Sequence, residues 1–101
     1  KECCERLNPD ISVFTGRVVS GDQFISEKDK KDWISEHFQG FCTEMEGAAI
    51  AQAAYLNQVP FLIIRAISDK ADNSAQMDYA EFERKAIIHS VRLMTEIAKL
   101  W

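Results

Sequence analysis

The chain has 101 residues, 47% of them hydrophobic and 28% charged, and a formal net charge of −4. This composition is that of a globular protein and excludes disorder, and the length allows one domain at most, with a modest core. The Lys and Arg residues form no basic stripe, which argues against nucleic acid as a partner, and no apolar run is long enough to cross a bilayer, so no membrane is expected.

The first residue is Lys1 rather than Met, consistent with processing, truncation or a piece of something longer. No cationic segment precedes an apolar stretch, so no signal peptide is expected. Cys3, Cys4 and Cys42 make an odd count without C-x-x-C spacing. Adjacent cysteines rarely pair, and His37 and His89 stand alone, so neither a disulfide framework nor a zinc site is indicated. Reduced thiols in a cytoplasmic protein are expected, with no metal and no cofactor. Cys42, in an apolar run, reads as a small buried hydrophobe.

In chain order, residues 1–7 read as the tail of a helix, ended by Asn8-Pro9-Asp10 because Pro disfavours helix at the preceding residue. Residues 11–19, rich in β-branched side chains and interrupted by Gly16, read as extended. Ser20-Gly21-Asp22 is turn chemistry, and the apolar pair Phe24-Ile25 follows. Ser26 has the character of a helix cap, with acids behind it that suit the helix dipole. That helix is predicted to reach Phe38, with Ile34 and Phe38 on one face and Gly40 as its stop. The charge run from Glu27 to Asp32 reads as its solvated face.

Residues 41–43 form a short strand candidate. Residues 45–57, dominated by Gly and Ala, predict a buried helix with close neighbours. Residues 59–67, the most apolar run, suit a parallel strand buried on both faces, with Pro60 near its start. A polar loop over 68–77 precedes a capping pattern at Asp78–Glu81. The last helix carries Phe82, Ala86, Ile87, Val91, Met94, Ile97 and Trp101 at spacings near three and four, an amphipathic pattern that packs on a core.

The alternation of strand and helix predicts an α/β layer fold. Ligands in such folds sit at the C-terminal ends of strands. Two acidic clusters fall at such ends: Glu44 and Glu46 after the short strand, Asp69 and Asp72 after the long one.

Three segments carry a resemblance: Val19-Ser20-Gly21-Asp22-Gln23-Phe24-Ile25, Thr43-Glu44-Met45-Glu46-Gly47-Ala48-Ala49-Ile50-Ala51, and Arg65-Ala66-Ile67-Ser68-Asp69-Lys70-Ala71-Asp72. Together they resemble the 5′-methylthioadenosine/S-adenosylhomocysteine nucleosidases of the nucleoside phosphorylase/hydrolase superfamily. The resemblance implies a three-layer α/β fold, with a mostly parallel or mixed central sheet flanked by helices. Residues 1–101 would form the C-terminal part of that single domain, leaving the fold incomplete.

The resemblance also implies the chemistry. The family cleaves the bond between adenine and ribose with water. Adenine leaves poorly as an anion, so an acid must protonate its N7 as the sugar becomes oxocarbenium-like. Asp69 matches that acid, and Ser68 would orient its carboxyl. Glu46 matches the residue that accepts hydrogen bonds from the ribose 2′- and 3′-hydroxyls, for which two carboxylate oxygens are suited. Met45 would pack against the ribose, Phe24 would stack on adenine, and the backbone of Ile25 would read the base edge. Glu44 and Arg65 are expected to pair structurally, since an Arg in an apolar run needs a partner. Trp33, Trp101, His37 and His89 match no role and read as packing or solvated positions.

One family feature has no match: the Glu near the N-terminus of the full domain that positions the attacking water. The chain alone is therefore expected to be inactive and to expose sheet edges that the missing N-terminal half covers. An adenine nucleoside substrate and a homodimer are implied. The competing readings are a purine nucleoside phosphorylase, an aminodeoxyfutalosine nucleosidase, and a non-catalytic nucleoside-binding module.

Overall fold

The computed structural model describes residues 1–68 and 79–100. Among them the elements run α1 (Glu2–Leu7), β1 (Val18–Ser20), α2 (Lys28–Phe38), β2 (Cys42–Glu44), α3 (Gly47–Leu56) and α4 (Tyr79–Ala98). They belong to two compact units, one joining Lys1–Thr15 to α4 and the other running from Gly16 through the segment after α3.

In the first unit α1 packs against α4. The helix ends where Pro9 demands it. Asn8 leaves helical geometry at φ −133°, and its amide donates to Cys4 O at 3.0 Å. Asn8 is fully buried, and its side-chain amide faces the Cys4 sulfur at 3.8 Å. Leu93 of α4 is the buried hydrophobic residue among those described. Phe82, Ala86, His89, Leu93 and Ile97 are buried or half-buried, at the three-to-four spacing of one helix face. The predicted core positions Ile87, Val91 and Met94 lie instead on an exposed stripe, because the six-residue α1 is too short to cover both. His89, read from sequence as a packing or solvated position, has its Nε2 2.9 Å from Oδ2 of Asp10. That hydrogen bond holds the Asp10 carboxyl below its usual range.

The second unit contains a βαβ motif. β1 and β2 are parallel, with Val18 opposite Cys42, Val19 opposite Thr43 and Ser20 opposite Glu44, and α2 forms the crossover. The ladder is extended by Phe41 N–H to Arg17 O at 2.8 Å and Gly21 N–H to Glu44 O at 3.1 Å. The predicted α2 is present, with two differences at its ends. Its cap position is Glu27 rather than Ser26, without a side-chain cap bond, and its last turn is closed by Gln39 in left-handed geometry rather than by Gly40. Gly40 serves close approach instead: a Cβ there would meet a Val19 methyl at 2.5 Å.

α3 packs on β1. It was expected to be a buried helix, but only Gly47 is buried, and Ile50, Tyr55 and Leu56 are exposed. No described element covers its outer face. The larger correction concerns residues 59–67. They form no strand, and Val59, Phe61, Leu62, Ile64 and Ile67 are exposed, Leu62 by 81%. A central parallel strand needs a ladder partner, and the described sheet contains only β1 and β2. The architecture is a partial α/β fold with a small parallel sheet.

Candidate functional site

The crossover motif fixes where a site can form. β1 and β2 run in the same direction, so Ser20 and Glu44 end side by side. The segments that leave them carry Phe24 and Ile25 on one side and Met45 and Glu46 on the other. A cleft of about 580 Å³ opens there, and its walls include Phe24, Ile25, Met45, Arg65 and Ser68. Phe24 is 72% exposed, an aromatic face open to the cleft and to solvent.

α3 begins just after Glu44 and Met45, which line this cleft, and the chain's own groups occupy its free amides. Glu44 Oε2 accepts from the amides of Glu46 at 3.0 Å and Gly47 at 2.7 Å. The Ser20 hydroxyl oxygen accepts from the amide of Ala48 at 2.9 Å. A carboxylate at this position also suits the positive end of the helix dipole. Gly47 lies close under this carboxylate: a Cβ there would come within 2.5 Å of Glu44 Oε1, so the Glu44 side chain would have to shift.

Arg65 joins the two acids. One of its terminal nitrogens donates to Oε2 of Glu44 and to Oε2 of Glu46, the latter at 2.7 Å. The side chains are 7% exposed for Glu44, 33% for Arg65 and 65% for Glu46. Burial opposes ionisation of Glu44, but the Ser20 hydroxyl, the Glu46 and Gly47 amides and the Arg65 guanidinium outweigh it, and its carboxyl lies below the ordinary range. Burial and the nearby Glu44 carboxylate push the Cys42 thiol upward, away from the reactive thiolate. Cys3, Cys4 and Cys42 are free thiols.

Of the residues singled out from the sequence, Phe24, Ile25, Met45 and Ser68 share the cleft. Glu46 does not line it. It lines an adjoining hollow with Ile50, Leu62 and Ile64, and Arg65 borders both. Asp69, the expected acid, and Asp72 lie outside the described residues. The expected Glu44–Arg65 pair is present. Sequence reasoning missed the second bond of Arg65, to Glu46, and the part Ser20 plays at α3. The first had a signal, a lone cation in an apolar run behind two acids. The second had none, because Ser20 and Ala48 are 28 residues apart.

Comparison with known proteins identifies the family. The profile of the phosphorylase superfamily matches residues 1–99. A protein of Exiguobacterium sp. named 5′-methylthioadenosine/S-adenosylhomocysteine nucleosidase is 40% identical over 100 residues, which are 98% of this chain and 42% of that protein. Proteins with the same name from Bacillus thuringiensis and Bacillus cereus are each 33% identical over 97 residues, 95% of this chain and 42% of theirs. The chain thus spans about two fifths of the length of these curated relatives. No solved structure matches it significantly. The cleft at the ends of parallel strands and a profile match over nearly every residue lead to one conclusion: the chain belongs to the phosphorylase superfamily.

Proposed function

We propose that this chain is the C-terminal part of an N-glycosidase that hydrolyses 5′-methylthioadenosine and S-adenosylhomocysteine to adenine and the thioribose product. The observation that carries the reading is the cleft where Phe24, Ile25, Met45 and Ser68 meet, one residue before Asp69. Phe24 offers a face for the base, and stacking of this kind is worth roughly 1–3 kcal/mol. Met45 borders the sugar. Glu46 takes the ribose hydroxyls from the adjoining hollow. Asp69 holds a proton and passes it to N7 as the glycosidic bond breaks. Ser68 orients that carboxyl.

The relatives are more than twice as long as the chain, and the water-positioning carboxylate belongs to the part of the domain not represented here. The complete domain is a three-layer α/β fold working as a homodimer in the cytoplasm, and residues 59–67 become a central strand in it. The reading is tested in the full-length protein by following adenine release without phosphate. Asp69→Asn is expected to lower release by about 10²–10⁴-fold, the usual contribution of a general acid, while ligand binding persists. Unchanged release would remove Asp69 from the chemistry, and release that requires phosphate would assign the protein to the phosphorylases.

A further inference from the structure

Arg65 is the only charged residue in the run 59–67, and its placement joins one fixed acid to one free acid. Glu44 is the fixed one: it is almost wholly buried and tied to the α3 amides of Glu46 and Gly47. Glu46 is the free one, with its side chain about two-thirds in solvent. The same Arg65 nitrogen bonds both, and on Glu46 it engages Oε2. Glu44 alone would already satisfy the charge of Arg65. A second bond, to an exposed carboxylate, adds little to folding stability, and it draws two acids of like charge onto one nitrogen. What the second bond does supply is orientation. An exposed glutamate otherwise moves among many rotamers.

The geometry points to Arg65 as a positioning residue for Glu46. Anchored on Glu44, it grips Oε2 of Glu46 and leaves Oε1 to accept hydrogen bonds from the vicinal hydroxyls of a ribose whose base lies in the neighbouring cleft. Arg65 borders both hollows, so the grip sits where base and sugar would meet. This rests on the nucleoside reading above. The planar guanidinium suits such a role better than an ammonium, whose single charge centre fixes no carboxylate plane.

The experiment compares equilibrium binding of adenosine and 2′,3′-dideoxyadenosine to the full-length protein and to its Arg65→Met, Arg65→Lys and Glu46→Gln variants. Circular dichroism of each variant reports folding. Arg65→Met is expected to reduce the preference for adenosine about tenfold or more, the scale of a hydrogen bond to a charged group, with dideoxyadenosine binding changed less than about twofold. Arg65→Lys is expected to lose part of that preference, and it serves alone if the Met variant does not fold. A purely structural Arg65 would weaken both ligands alike and leave the ratio unchanged, which overturns the assignment. If Glu46→Gln lowers the ratio and neither Arg65 variant does, the positioning role fails while the nucleoside reading stands. If Glu46→Gln also leaves the ratio intact, Glu46 reads no hydroxyl and both fail.

Discussion

Glu44 shows how one side chain is held by opposing effects of unequal size. Its burial would favour the neutral acid, but two amides, a hydroxyl and a guanidinium favour the anion and prevail. The sign of the pH dependence follows. A carboxyl whose folded pKa lies below its unfolded value contributes stability above the unfolded pKa, and that contribution is lost as pH falls through the folded one. Acid titration of the chain is therefore expected to loosen the start of α3 only below the ordinary carboxylate range, as read by the amide resonances of Glu46 and Gly47. Glu44→Gln should abolish that step and lower stability by about 0.5–2 kcal/mol, as loss of a helix cap does. An unchanged titration would show that Glu44 is not the responsible group. Gly47→Ala tests the same corner sterically. Alanine favours helix over glycine, yet here its methyl meets the Glu44 carboxylate. A net loss of roughly 1–3 kcal/mol, typical of overpacking, is expected in denaturant melts, and a gain would contradict the tight fit.

Among the elements, residues 59–67 are the most informative. None of the backbone hydrogen bonds among the described residues involves 61–67, although all of these side chains but Arg65 are apolar. Hydrogen exchange in the isolated chain is expected to show these amides open. In the full-length protein, completion of the proposed central strand should raise protection by at least about a hundredfold. Equal exchange in both would refute a central strand. The elements that were legible in the sequence are those decided locally. Pro9 stops α1 at Asn8, the charge run lies on α2, and the small-residue run makes α3. The misread features depend on distant partners. The burial of α3 and of 59–67 needs surfaces that no described element provides, and Ile87, Val91 and Met94 were placed in a core that α1 is too short to build. Phe24, Ile25, Met45 and Ser68, which the three resembling segments singled out, line one cleft. Glu46 lines the adjoining hollow instead and is bonded to Arg65, which spacing alone does not reveal.

For the molecule as a whole, the chain spans two fifths of the length of the relatives it matches, and it carries the groups proposed to hold the base and to protonate it. It lacks a match for the carboxylate that would position water. The chain by itself is therefore expected to release no adenine. The most direct measurement is a crystal structure of the full-length protein with a non-hydrolysable 5′-thioadenosine analogue. The base is expected on Phe24, its N7 within hydrogen-bond distance of the Asp69 carboxyl, and the sugar hydroxyls on Glu46. An analogue bound away from the ends of β1 and β2, or an Asp69 carboxyl turned away from N7, would contradict it.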